Sequence, residues 1–169
     1  MMELLARRRV ALGLVTAVVT LVLARPTWQT LRWGFAVAAA GELIRIWAAG
    51  HLEKGREVTR SGPYRWTRHP LYVGSTVLAV GIVIAAHHVV VALLAAVYMA
   101  TTITAAIRTE EAFLRRTFGD TYDRYTQSRA EPMARRFSLA RAMRNREYRA
   151  VCGVLAGFAL LALKLLVSI

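Results

Sequence analysis

Residues 71–107 read LYVGSTVLAVGIVIAAHHVVVALLAAVYMATTITAAI, 37 positions without an Asp, Glu, Lys or Arg. One helix of that length would measure about 55 Å and overshoot a hydrocarbon core of about 30 Å. His87-His88 divide the run into halves of 16 and 19 residues. The spacing predicts a helical hairpin with a tight turn at the histidines.

Upstream, residues 10–24 hold fifteen positions without a charge. They give only about 22 Å of helix, so this segment must recruit Leu4-Leu5 on one side or Pro26-Thr27-Trp28 on the other. Residues 31–51 are long enough to span but contain Glu42 and Arg45. Downstream, residues 150–169 are apolar apart from Lys164, whose stem can snorkel to the far interface. The pattern predicts an all-α, polytopic membrane protein of about five transmembrane helices, forming a single domain over 1–169. The run after Arg7-Arg8-Arg9 is expected to stay as a signal anchor, because Arg25-Pro26-Thr27 makes a poor cleavage site. The lone Cys152 offers no disulfide framework.

Hydrophobic residues make up 56% of the 169 positions, yet the net charge is +13 and the mean hydropathy is +0.39. Both at once require segregation into apolar and basic blocks. That excludes a disordered chain and argues against a soluble nucleic-acid binder. Three basic residues precede the first apolar run, five lie in 54–68 and eleven in 108–149, whereas the opposite connections hold only Arg25 and Arg32. The positive-inside rule then puts the N-terminus and both large basic segments in the cytosol, with the chain in the cytoplasmic (inner) membrane. The outer connections are too short to build a site, so the chemistry is expected on the cytosolic side.

The first basic loop contains Gly62-Pro63-Tyr64-Arg65-Trp66-Thr67-Arg68-His69-Pro70-Leu71-Tyr72-Val73-Gly74. Gly62-Pro63 is a turn signal. Pro70 pushes His69 toward an extended conformation and itself suits the first turn of a helix. The free amides of that turn can receive an anion, and Gly74 admits a close neighbour. Arg60, Arg65 and Trp66 suit an ordinary interfacial loop; Tyr64, His69 and Tyr72 make better pocket residues. In the second basic segment Glu110 and Glu111 are adjacent, so about 100° separates them around a helix. One is expected to face the pocket and the other arginine or water. Gly119 reads as a helix stop, Asp120 as the cap of a short following helix, and Tyr122 and Tyr125 share a face of it. Glu42 and Arg45, three apart, pair with each other or turn Arg45 toward the pocket. Trp47 and His51 are expected to anchor their helix at the interface. His87-His88 have no carboxylate or thiol beside them, and no metal site is expected.

These two stretches resemble the isoprenylcysteine carboxyl methyltransferase and phospholipid methyltransferase superfamily of integral-membrane enzymes. The first looks like its "GPYxxxRHPxYxG" signature. Glu110-Glu111, Leu114, Phe118-Gly119, Tyr122 and Tyr125 match its "EExxLxxxFGxxYxxY" signature. The resemblance covers roughly residues 41–137; the N-terminal helix and the helix at 150–169 are covered by topology alone. It implies S-adenosylmethionine as cofactor and a lipophilic acceptor in the membrane, with no nucleic acid and no obligate protein partner. It implies cofactor contacts at Val58 and Thr59 in the 56–59 stretch, and at Tyr64, His69, Pro70, Leu71, Tyr72 and Glu110. Prenylcysteine members carry a substrate-binding Arg four residues before that Glu. Here that position is Ala106, which leaves Arg108, with Arg45, to hold an acceptor carboxylate of the isoprenylcysteine type. A phospholipid amine acceptor would instead need a general base, for which Glu111 is the candidate. Glu42 and Arg45 as intramembrane charges would also suit a small transporter, and the basic segments a lipid-binding structural protein. Neither alternative uses the tyrosines, His69 or the glutamate pair.

Overall fold

The computed structural model describes residues 2–131 and 133–167, and side chains from Gly13 onward. The side chains of Arg7-Arg8-Arg9 and residues 168 and 169 of the expected C-terminal helix lie outside that description. Among the described residues the fold is all-helical: α1 (Met2–Leu23), α2 (Trp28–Ala49), α3 (Pro70–Ala86), α4 (Val89–Phe118), α5 (Asp120–Thr126), α6 (Leu139–Arg144) and α7 (Tyr148–Val167), with a 3-10 turn at Gly62–Arg65.

The five long helices fall where the apolar blocks put them. The first block lengthens on its N-terminal side, because Arg25-Pro26-Thr27 ends it. Thr27 then caps α2, accepting from the Thr30 amide at 3.1 Å while Thr30 Oγ1 accepts from the Thr27 amide at 2.9 Å. The hairpin turns at the two histidines as expected. His87 closes α3 in the left-handed conformation (φ 49), and His88 opens α4 by accepting from the Val90 amide. α4 and α7 are long and apolar enough to cross a bilayer; the apolar runs Gly13–Leu23 and Pro70–Ala86 are shorter. Five spans and a cytosolic N-terminus remain expectations from composition.

α2 and α3 form the most extensive helix pair. Gly41 and Gly34 on α2 face Gly74 and Gly81 on α3. A Cβ at Gly74 would sit 2.7 Å from the Gly41 carbonyl oxygen, and one at Gly81 would sit 2.5 Å from that of Gly34. Small residues allow this approach, which is how helices pack where lipid removes the hydrophobic drive. A core of Leu31, Ala38, Ala85, Val91, Phe158 and Leu161 lies at the end of the molecule away from the motifs. There Lys164 Nζ donates to the carbonyls of Leu21 and Val22, both at 2.7 Å. It caps the C-terminus of α1 and complements that helix dipole.

Two further features depart from expectation. His51 is 5% exposed. Its ring packs against Gly62, where a Cβ would come within 2.6 Å, and against Phe137, so it is an interior residue and not an interface anchor. Asp120 is the first residue of α5 and Gly119 (φ 42) is its cap, because the glycine both ends α4 and starts the next helix.

Candidate active site

Both motifs converge at one end of the helices. His69 is the N-cap of α3 and Pro70 its first residue. The amides of Tyr72 and Val73 both turn back onto the His69 carbonyl, at 3.0 and 3.1 Å. Less of this helix N-terminus is therefore open to an anion than the His69-Pro70 step suggests. The two glutamates diverge as adjacent helical residues must. Glu110 accepts from the Tyr72 hydroxyl at 2.9 Å. Glu111 lies 3.1 Å from His69 Nε2 and 3.4 Å from Arg68 Nη1. The Tyr125 hydroxyl donates to the Tyr64 carbonyl at 2.7 Å, so α5 is tied to the 3-10 turn of the first motif. Burial pushes the Tyr64 and Tyr122 phenols above their ordinary range, and that of Tyr125 to about 12. All three stay protonated at neutral pH, and the Tyr125 hydroxyl uses its proton in the bond to the Tyr64 carbonyl.

These groups enclose one end of a cavity of about 800 Å³. The charged end is walled by Lys54, Glu57, Thr59, Tyr64 and Arg68 from the loop, Tyr72 from α3 and Glu110 from α4. The other end runs along α4 past Ala106, Ala105, Thr102, Thr101, Tyr98, Val97 and Leu94 to Thr16 of α1. From Glu110 to Leu94 is about 24 Å of helix. Apart from Glu110, the α4 residues that line it are uncharged.

Of the residues singled out in the sequence, Val58, Thr59, Tyr64, Leu71, Tyr72 and Glu110 line the cavity. His69 and Pro70 stand behind them: Pro70 starts the helix and His69 engages Glu111. Arg108 is on the exposed side of α4 and does not line the cavity, whereas Ala106 does. Arg45 is not brought to it either. Its Nη2 lies 2.6 Å from Glu147 and its Nε 3.4 Å from Glu42, and it also bonds the Ser75 hydroxyl. Glu42 and Arg45, the charges that suggested a transporter, are thus engaged with each other and with Glu147 inside the helix packing, with Glu42 6% and Glu147 7% exposed.

The sequence reading missed Lys54 and Arg68 as cavity residues, and the α4 stripe; Glu57, inside the 56–59 stretch that the resemblance pointed to, lines the cavity with them. The stripe did carry a signal: 94, 97, 98, 101, 102, 105, 106, 109, 110, 113 and 114 recur at helical spacing and lead into Glu110. It also missed the role of the basic segment after α5. Ser138 N–H donates to the Gly50 carbonyl at 3.1 Å, Arg141 Nη1 to the same carbonyl at 2.6 Å, and Asn145 to the carbonyls of Ala49 and Leu52, both at 2.9 Å. The orphan carbonyls at the end of α2 are therefore capped from this segment. Arg141 and Arg144 also hold Glu53, at 2.8 and 3.2 Å, and the Arg141 hydrogen bond holds the Glu53 carboxyl below its usual range.

The family model described as phospholipid methyltransferase matches residues 8–121. The nickel-cobalt-cadmium resistance protein NccN of Alcaligenes xylosoxydans xylosoxydans is 33% identical over 96 residues, which are 56% of this chain and 43% of that protein. The match therefore spans less than half the length of that relative. No solved structure matches. With the family model covering more than half of its length, and both of its motifs folded around one cavity, the chain belongs to the phospholipid methyltransferase family, within the isoprenylcysteine carboxyl methyltransferase-like superfamily.

Proposed function

We propose that the chain is a membrane methyltransferase that uses S-adenosylmethionine and a lipophilic acceptor. The observation that carries this reading is the cavity, which joins a charged end built from both motifs to an uncharged arm along α4. The donor set fits the cofactor. Its sulfonium and ammonium call for a carboxylate, supplied by Glu110. Its own carboxylate calls for a cation, supplied by Lys54 or Arg68. Its nucleoside calls for aromatic faces and hydroxyls, supplied by Tyr64, Tyr72 and Thr59. When bound, the cofactor supplies an activated methyl group whose displacement needs no acid. The protein's work is then alignment and exclusion of water. Glu110 is oriented by Tyr72, and the α4 wall gives an acceptor tail an apolar bed.

The lack of a cation on that wall favours an amine acceptor of the phospholipid type. A carboxylate of the isoprenylcysteine type needs a cation near the transferred methyl, and Ala106 stands where prenylcysteine members place one. Glu111, the base expected from the sequence, is engaged by His69 and Arg68, so Glu110 becomes the carboxylate nearest an acceptor on α4. The carboxylate reading keeps Lys54 and Arg68 as its cations.

Purified protein in detergent should bind labelled S-adenosylmethionine saturably. Glu110→Gln or His69→Ala should weaken binding roughly tenfold or more, as loss of a hydrogen-bonded charge does, without unfolding the helices. Unchanged binding by both variants would sink the assignment. With a lipid extract and labelled cofactor, an amine acceptor gives alkali-stable label, whereas a carboxylate acceptor gives a methyl ester that alkali releases.

A further inference from the structure

The cavity wall at residues 52–59 contains no helix or strand. Its internal bonds are few: Arg56 N–H to the Glu53 carbonyl at 3.2 Å, Glu53 N–H to Thr59 Oγ1 at 3.2 Å, and the Thr59 hydroxyl to Glu57 Oε1 at 3.3 Å. A segment with so little bonding of its own belongs to the low-stability end of a fold unless something outside holds it. Arg141, Arg144 and Asn145 hold its start at Leu52 and Glu53, and Arg135, 78 residues downstream of Glu57, holds its cavity-lining end. Its guanidinium donates to both oxygens of Glu57, at 2.5 and 2.7 Å, and to the His51 carbonyl at 3.2 Å. The two side chains are 20% and 28% exposed. A two-pronged guanidinium–carboxylate pair fixes orientation as well as distance, and an ammonium cannot reproduce it.

Of the two Glu57 oxygens that Arg135 holds, Oε1 also accepts from Thr59. Arg135 thereby sets Thr59, and Val58 between them. Glu57, Val58 and Thr59 all line the cavity, whereas Arg135 does not. The segment carrying Arg135 is pinned on either side of it. Arg65 donates to the Met133 carbonyl at 3.3 Å, and the Phe137 ring occupies the space that a Cβ on Gly50 would take. The guanidinium is thus presented from a fixed base.

We propose that Arg135 is a positioning residue of the cofactor pocket: by clamping Glu57 it holds the 57–59 wall in the form that receives the cofactor. The proposal rests on the reading of the cavity as the S-adenosylmethionine site. Releasing the clamp should weaken cofactor binding and leave the loaded enzyme's turnover alone, because Arg135 touches neither ligand.

The test compares wild type, Arg135→Lys and Arg135→Ala in detergent. Arg135→Ala should raise the Kd and KM for S-adenosylmethionine roughly tenfold to a hundredfold, the size of a lost charge-assisted pair. Saturating kcat should stay within about twofold, the signature of binding lost uniformly. Arg135→Lys, the variant of choice should the alanine form fail to fold, should fall between. In hydrogen exchange without cofactor, the amides of 52–59 should exchange faster in both variants while α4 is unchanged. Wild-type affinity in Arg135→Lys and unchanged exchange of 52–59 would overturn the proposal. So would a fall in kcat at unchanged KM. If wild type shows no saturable binding, the cofactor reading itself fails. The exchange comparison, which needs no cofactor, separates that outcome from failure of the clamp.

Discussion

Tyr64, Tyr122 and Tyr125 show how a few side chains set a pH limit on this fold. Each lines the cavity, and burial raises each phenol above its ordinary value of 10.0. Below pH 10 folded and unfolded chains are both protonated at these positions, so they add no pH dependence. Above it the unfolded phenols ionise first, and stability falls as pH rises through 10 toward the Tyr125 value of about 12 and beyond. An alkaline titration followed by phenolate absorbance should show a late-ionising set, and helical circular dichroism should fall together with it. Ionisation of every tyrosine near pH 10 with the helices intact would contradict this. Tyr125→Phe should remove one late phenol and cost about 1 kcal/mol, since it deletes the bond to the Tyr64 carbonyl. At this scale much was legible. Neighbouring glutamates on a helix must diverge, and they do: Glu110 meets Tyr72, and Glu111 meets His69 and Arg68. The partners of Arg45 and Glu57 were not legible in full, because Glu147 and Arg135 reach them from far along the chain and no local spacing records such a pair.

Among elements, the α2–α3 pair holds the first motif in place, since α3 begins at His69-Pro70 and its position is set by contact with α2. The sequence showed why Gly74 should admit a close neighbour, but not which one. That neighbour is the Gly41 backbone with the Arg45 stem. Gly34 and Gly41 are seven residues apart, as are Gly74 and Gly81, so each pair lies on one face and forms a flat contact two turns long. Gly41→Ala would put a methyl 2.7 Å from the Gly74 carbonyl oxygen. Backbone cannot yield there without parting the helices, so the variant should lose about 1–3 kcal/mol and bind cofactor more weakly. Gly153 and Gly157 on α7 are the internal control, for no atom lies within 4 Å of an added Cβ at either. Gly157→Ala should hold or raise the thermal midpoint, with up to about 1 kcal/mol of helix propensity in its favour. Equal midpoints for Gly41→Ala and Gly157→Ala would contradict this account of the pair. α6 and the clamp were illegible at this scale because the 135–149 stretch, read by charge alone, served only to mark the cytosolic side.

For the whole molecule, charge and cavity share one direction. The loop after α2 and the segment after α4 meet at one end, with most of the basic residues. The α1–α2 connection and the histidine turn lie at the other, where Arg25 N–H donates to the Ala86 carbonyl at 2.8 Å. By the positive-inside rule the basic asymmetry, 19 residues against two in the connections, would make the first end cytosolic. The cofactor would then enter the charged mouth from the cytosol while the arm along α4 lies at bilayer depth, where lipid acceptors are. Single-cysteine labelling tests this directly, because Cys152 is the one native thiol. In a Cys152→Ala background, Gln29→Cys lies on an exposed position of the first turn of α2 and Arg116→Cys on an exposed position of the last turn of α4. A membrane-impermeant maleimide should label position 29 in intact cells and position 116 only after permeabilisation. The reverse pattern would invert the molecule, put the charged mouth outside the cytosol, and remove the proposed route by which a cytosolic cofactor and a membrane acceptor would reach one cavity from two directions. Labelling of both in intact cells would mean that an odd number of crossings does not separate them, and with it the hairpin-plus-bundle topology would fall.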